Sequence, residues 1–365
     1  MPTIRRAFTI LFLGAVVSAG WVGASLYLPY QKFPSQGVFV DIPHGASRRA
    51  VARLLANQGV VRSRWVFEAL SRQRSRSTLQ AGEYFFDHPV TSREVFDTIA
   101  NGRVYVRELV IPEGFSMFDI ADLVQREDFI SRDNFLAAAR NPALIRDLVP
   151  GAPSLEGFLF PATYEFPRHP TGEQMVTAMV AHFRKEWAEI SAQQPNLSGL
   201  GLEQVVTLAS LVERETPKAE ERPLVAGVFT NRLHHRVPLQ CDPTVVYALE
   251  LAGNYNGSLN ARSLPFDSPY NTYRHIGLPP GPIANPGSAS LKAALDPPET
   301  DYLYFVANTE GGHFFGRTLA EHNRNVALYR SRLAAQRNAA PASASITPPR
   351  PNTISSPASQ PQRLR

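Results

Sequence analysis

One cysteine, Cys241, stands in 365 residues. That excludes an intrachain disulfide, so the fold rests on packing alone. Metal ligands are missing too. His234 and His235 are adjacent and point to different faces of a helix, and no further His or Cys lies near them at a ligand spacing, so a zinc site is rejected. No glycine loop of the kind that cradles phosphates occurs, and no cofactor is expected. Ser210 lacks the Gly-x-Ser-x-Gly surroundings of a nucleophile elbow. Cys241, in "PLQCDPT", has no evident base to activate its thiol. Charge of one sign is also scarce: the net charge is +5 over the whole chain, and basic residues gather only as arginines scattered over 48–76. Nucleic acid is therefore not indicated as a partner. What is present is an apolar content of 44% and an aromatic content of 10%, enough to bury ordinary cores, in a length that suits two or three domains.

Charge is absent altogether from Ala7 to Leu28. About 20 apolar residues let a helix cross the hydrocarbon core. Arg5 and Arg6 precede the run, and positive charge stays on the cytoplasmic side. The expectation is a signal-anchor helix over 7–28, with residues 1–6 in the cytoplasm and everything after Pro29 outside it. A cleaved signal peptide is the competing reading, since Ala19 and Ala24 could serve a peptidase; the uncharged run is longer than the usual apolar region of such a peptide. At the other end, "NAAPASASITPPRPNTISSPASQPQ" is Pro, Ser and Ala with almost no large apolar side chain. It cannot offset the entropy of ordering, and 336–365 reads as a disordered tail.

Between the ends lies a repeat. "DIPHGASRRAVARLL" (41–55) and "VIPEGFSMFDIADLV" (110–124) share Ile-Pro-x-Gly-x-Ser and then an alanine and a leucine at matching offsets. Each copy predicts a strand ended by Pro and Gly, a Ser in N-cap position and an amphipathic helix. A second helical stretch and a strand-like segment follow in each case. The unit is therefore strand, helix, helix, strand, once over 37–105 and again over 106–165. Its order and size resemble the LysM module, a small βααβ fold that binds wall glycan; a structural spacer that lifts the next domain off the membrane fits the same pattern. From 166 to 335 the elements become longer helices, then an irregular loop rich in Pro, Gly, Asn and Tyr that precedes another helix, a strand, a turn and a closing helix. Long irregular loops in a compact domain are usually functional.

"LASLVERET" (208–216) puts two carboxylates at the end of an apolar helical run. At about 100° per residue, Val205, Leu208, Ala209 and Val212 form the expected buried stripe, Arg214 points away, and Glu213 and Glu215 fall on its two edges. Periodicity does not choose between them. Pro217 pushes the residue before it out of helical angles, so the helix should end near Glu215 or Thr216. Glu215 then sits in the last turn, where the negative end of the helix dipole disfavours a second negative charge and raises its pKa, as a general acid requires. A frayed, solvated helix end carrying two idle glutamates is the plainer alternative.

Taken together, "LEGFLFPATY", "LASLVERET", "ERPLVAGVFTNRL", "LQCDPTVVYAL", "SPYNTYRHIGLPPGPIANPG", "YLYFVANTEGGHFF" and "HNRNV", in that order behind an apolar first helix, resemble the endolytic murein transglycosylases, the YceG-like family. The resemblance runs from residue 7 to about 335. It implies an α+β protein: a single-pass inner-membrane anchor, a LysM-like domain and a periplasmic catalytic domain. It further implies cleavage within nascent peptidoglycan strands, between N-acetylmuramic acid and N-acetylglucosamine, leaving 1,6-anhydromuramyl ends beside the peptidoglycan synthases. This is a lyase reaction. Because the substrate's own C6 hydroxyl is the nucleophile, one carboxyl group suffices where ordinary glycosidases need two. The resemblance places that group in "VERET", at Glu215 by its likeness to the Glu-Ser pair of other lytic transglycosylases, with Glu213 as runner-up. It also suggests Glu156, Tyr164, Gln240, Asp242, Thr244, Asn271, Thr272 and Tyr273 as substrate-binding residues. Two other readings stay open: a non-catalytic glycan-binding scaffold that recruits synthases, and a hydrolase in which Asp242 or Glu221 supplies a second carboxylate.

Overall fold

The computed structural model describes residues 2–339. The tail expected over 336–365 lies outside them, apart from 336–339, which continue the last helix. The chain divides into two compact units, one comprising residues up to Asp147 with Pro153–Phe183, the other Leu148–Ala152 with everything from Arg184 on.

In the first unit, α1 (Pro2–Tyr27) is apolar enough over Phe8–Tyr27 to cross a membrane by length and composition. Then β1 (Val38–Ile42), α2 (Arg48–Asn57), α3 (Arg64–Gln73) and β2 (Gly82–Phe86) follow, with the strands paired antiparallel so that Val40 faces Tyr84. Gly45 turns the chain at φ +76°, where a side chain would be strained. Ser47 then caps α2, its hydroxyl accepting from the Ala50 N–H. Burial of Val40, Ile42, Val51, Leu55, Phe67, Tyr84 and Phe96 makes one core, and the Tyr84 hydroxyl is satisfied by the Gln80 and Ile99 carbonyls. A helix not foreseen from the pattern, α4 (Ser92–Ala100), closes this core behind a Thr91/Glu94 capping box.

The second copy repeats the design. In β3 (Arg107–Val110), α5 (Met117–Arg126), α6 (Arg132–Ala139) and β4 (Thr163–Phe166), Leu109 pairs with Tyr164 across an antiparallel ladder. Gly114 sits at φ +78° and Ser116 caps α5, matching Gly45 and Ser47. The second crossover is longer and includes a single 3-10 turn at Pro142–Leu144. The first copy is tied to α1: Ser92 Oγ donates to the Ser25 carbonyl at 2.7 Å, Tyr30 bridges to Val90, and α1 packs on α3 and α4.

α7 (Gly172–Gln193) is divided between the units. The second unit is built around α8 (Leu202–Glu215), against which α9 (Arg222–His234), α10 (Asp242–Leu251) and α11 (Ser288–Leu295) all pack. The hairpin of β5 (Tyr304–Ala307) and β6 (His313–Gly316) and the closing α12 (Leu319–Ala339) complete it. The stripe expected on α8 is corrected here: every residue from Val205 to Val212 is buried, because helices cover it on several sides. Its polar positions are satisfied locally or by the loop. Thr207 donates to the Glu203 carbonyl at 2.7 Å. Ser210 donates to the Thr207 carbonyl and accepts the Ile283 N–H at 3.1 Å, stapling the 252–287 loop to the helix.

Candidate active site

The end of α8 gives its two glutamates different surroundings. The Glu213 side chain is only 4% exposed and accepts from Arg222 of α9 at 2.8 Å; the Arg222 side chain is 8% exposed. The other Glu213 oxygen accepts the Gly287 N–H at 3.0 Å. One carboxylate thereby joins α8, α9 and the end of the long loop. Burial of this kind is tolerated because the charge is paired and hydrogen-bonded.

Glu215 is half-buried and is the last residue of α8. Thr216 takes extended angles (φ −136°, ψ 128°) ahead of Pro217, as a residue before proline is driven to do. Burial pushes the Glu215 carboxyl pKa up. A hydrogen bond with the Cys241 thiol opposes the rise, the neighbouring charge of Asp242 adds to it, and His313 and Arg232 weaken it further. The thiol itself is pushed well above its ordinary range, first by burial and then by Glu215. The net result is a carboxyl group with an unusual hold on its proton, set in a ring of fixed charges.

Around it stand groups that sequence reasoning undervalued. Arg232 is buried; its Nε donates to the Leu303 carbonyl at 2.6 Å and its Nη1 to the Leu239 carbonyl at 2.8 Å. Burial lowers its pKa, and Glu215 and Tyr304 partly restore it. Glu221 takes the His313 backbone N–H at 2.9 Å, the His313 Nδ1 at 2.7 Å and the Thr216 hydroxyl at 3.2 Å. Burial alone would raise the Glu221 carboxyl pKa, but His313 and Thr216 outweigh it and hold it low. The signal for Arg232 was only its place in the last turn of a helix, where basic residues are common. His313 lay in a hairpin turn and pointed to nothing.

The segment after α9 supplies the far wall. Gln240 adopts φ +49°, unusual for a residue with a Cβ, and its N–H donates to the Thr272 carbonyl at 3.2 Å. Such strain persists where surrounding structure over-determines it. Asp242 is exposed and accepts from the Tyr273 hydroxyl at 2.6 Å. Burial and that bond push the tyrosine pKa up. Thr244 and Thr272 are fully buried, their hydroxyls 3.0 Å apart; Thr244 donates to the Cys241 carbonyl and Thr272 accepts the Cys241 N–H. Asn271 donates to the carbonyls of Leu264 and Phe266 and accepts the Tyr273 N–H. The second unit therefore brings together Glu215, Gln240, Asp242, Thr244, Asn271, Thr272 and Tyr273. Among these, Gln240, Asp242 and Tyr273 reach solvent, while the other loop residues hold them.

Glu156 and Tyr164 belong to the first unit. Both Glu156 oxygens accept the Met117 N–H, at 3.0 and 2.9 Å, at the start of α5, where a helix favours negative charge. The Tyr164 hydroxyl donates to the Phe160 carbonyl at 2.6 Å, and burial raises its pKa. Among the described residues no group of three or more His, Cys, Asp or Glu could hold a metal ion.

The model of the YceG-like family matches residues 40–328. A relative from Bacillus subtilis (strain 168), named endolytic murein transglycosylase, is 34% identical over 318 residues, covering 83% of this chain and 87% of its own. A protein of the same name from Streptococcus pneumoniae (serotype 2, strain D39) is 30% identical over 359 residues, covering 88% of this chain; the chain spans 65% of that protein's length. Among solved structures, a yceG-like protein from Listeria monocytogenes aligns with a TM-score of 0.52 and 32% identity, over 79% of this chain and 98% of its own.

Proposed function

The chain belongs to the YceG-like family, and we propose that, like its relatives named endolytic murein transglycosylase, it is a lyase of peptidoglycan. The reaction we assign is cleavage of the β-1,4 bond between N-acetylmuramic acid and N-acetylglucosamine inside nascent strands, with a 1,6-anhydromuramyl end as product, so that elongation of the strand ends. The observation that carries this reading is the contrast between the two glutamates. Glu213 is consumed in a buried ion pair, and Glu215, two residues on, has its proton held by burial.

Glu215 then acts twice. Protonated, it gives its proton to the glycosidic oxygen as the bond to C1 of the muramic residue breaks, and the leaving sugar departs with a free hydroxyl. The carboxylate so formed takes the proton from the C6 hydroxyl as that oxygen bonds to C1, which restores the acid. No water is consumed, and one group with a pKa near the working pH serves both steps. Asp242, with the Tyr273 hydroxyl fixed at 2.6 Å, faces the positive charge that develops at C1. Gln240 and Tyr273 offer hydrogen bonds to acetamido and hydroxyl groups, with Thr244, Asn271 and Thr272 bracing them. α1 anchors the protein in the membrane with its N-terminus in the cytoplasm, and both units lie outside, within reach of the glycan and its synthases. The βααβ unit at 37–105 is the LysM-like element.

The test is the end group. Mass analysis of fragments released from nascent glycan by the full chain should find anhydro ends and no new reducing sugar. Reducing ends would instead make Asp242, close enough to raise the Glu215 pKa, the second carboxylate of a hydrolase. Binding without any product would leave a scaffold.

A pH profile separates the electrostatic parts. The first step needs protonated Glu215, so kcat/KM falls as pH rises through its elevated pKa. Asp242→Asn removes a charge that raises this pKa and should move the alkaline limb to lower pH. Cys241→Ala removes a hydrogen bond that lowers it and should move the limb up. Limbs that stay in place in both variants would show that neither neighbour sets the proton affinity.

A further inference from the structure

The arginines of residues 48–76 have no part in the chemistry above. This stretch holds eight arginines against a single acidic residue, Glu68. Two of the eight are structural: Arg48 donates to the carbonyls of Ser71, Ser75 and Ser77, and Arg74 pairs with Asp97 at 2.6 Å over the face of Phe96. The other six, Arg49, Arg53, Arg62, Arg64, Arg72 and Arg76, are exposed. Arg72 pairs with Glu68 at 2.5 Å; the remaining five have no carboxylate partner among the described residues. Amid them Trp65 is 58% exposed, with the Arg64 guanidinium 4.3 Å from its ring centre. A cleft of about 170 Å³ opens beside the indole between Arg49 and Arg72.

We propose that this α2–α3 face rests on the anionic headgroups of the lipid bilayer, a reading that depends on α1 being the membrane anchor. Two observations select that occupant. The face adjoins the end of the anchor: α3 packs on α1, Lys32 N–H donates to the Gly59 carbonyl, and Tyr30 lies under Arg62 at 4.7 Å. Its chemistry complements such a surface. Indole and phenol rings settle at the headgroup level, where one edge is apolar and the other wet, and α1 itself exposes Trp21 and Tyr27. Basic side chains close to a negative leaflet each strengthen the contact about fivefold. Six like charges on one small unit repel one another in water, and anionic lipid removes that penalty. The contact fixes how the first unit lies on the bilayer, with Trp65 as the wedge and the arginines as clamps.

The experiment uses the full chain in lipid nanodiscs with one tryptophan retained. In the Trp21→Phe/Trp187→Phe chain, Trp65 emission should be quenched by brominated phosphatidylglycerol mixed into the disc and much less by brominated phosphatidylcholine alone. The quenching should fade in salt near 1 M, where the screening length is about 3 Å, and in an Arg49→Glu/Arg64→Glu/Arg72→Glu chain with an unchanged melting profile. Equal quenching in both lipids, or none in either, would overturn the proposal, as would shielding of Trp65 by glycan strands but not by lipid. A Trp65→Phe/Trp187→Phe chain tests the anchor separately: Trp21 left unquenched would mean that α1 is outside the bilayer, whatever Trp65 does.

Discussion

Glu215→Gln should lower the rate of anhydro-end formation by about 10²- to 10⁴-fold, the usual contribution of a positioned acid–base group, with little change in binding of glycan. The amide keeps the size of the protonated carboxyl group and an oxygen for the Cys241 thiol, but has no proton to give to the leaving oxygen. Stability should move the opposite way. The Glu215 pKa is higher folded than unfolded, so its contribution to stability is intact below the ordinary glutamate value of 4.5 and is lost as pH rises through the folded pKa. Wild type and Glu215→Gln should therefore melt alike in acid, and the variant should gain over wild type as pH rises. A variant that keeps full turnover, or that melts lower than wild type in alkali, would move the catalytic role elsewhere on α8.

Glu213→Gln should behave in the reverse sense. It removes the carboxylate charge that Arg222 meets at 2.8 Å, and breaking a buried pair from one side costs about 3–5 kcal/mol. The amide oxygen can still accept the Gly287 N–H, so the loss reports on the ion pair itself. Denaturant unfolding should register the drop, and activity should decline with the folded fraction while the chemical step keeps its pH profile. Adding Arg222→Met, which removes the other half of the pair and retains most of the volume, should recover much of the stability, giving a coupling energy of several kcal/mol in the double-mutant cycle. If Glu213→Gln stays fully folded and yet makes no product, the assignment of roles to the two glutamates is inverted.

The sequence made the ends of elements legible and left their neighbours hidden. Ile-Pro-x-Gly-x-Ser marked both turns into helices because Gly45 and Gly114 must take positive φ and Ser47 and Ser116 must cap, and those are local demands. Pro217 marked the end of α8 for the same reason. Two helices went unseen although each carried a signal: α4 the Thr91/Glu94 capping box, α10 a proline in its first turn behind Cys241. Local reasoning could not separate Glu213 from Glu215. On a wheel they are symmetrical, and what distinguishes them arrives from Arg222, nine residues on, and Gly287, 74 residues on. The wheel also assumed one buried face, an assumption that fails for a helix packed on by α9, α10 and α11. Asn271 and Thr272 looked like polar groups awaiting a sugar; the Asn271 side chain bonds to backbone, the Thr272 hydroxyl meets Thr244 and the Cys241 N–H, and half-buried Tyr273 is what this stretch of the loop presents.

The bond from Ser92 to the Ser25 carbonyl and the packing of α1 on α3 and α4 bear on any attempt to prepare this protein without its first helix. Cutting the chain near Pro29 removes Ser25 and the turn around it, so the faces of α3 and α4 that α1 covers are left open to water and the Ser92 hydroxyl loses its acceptor. A truncated preparation should aggregate or form dimers through those faces more readily than the intact chain in detergent. Substituting polar residues along the uncovered faces, leaving Ser92 in place, is the remedy the packing suggests.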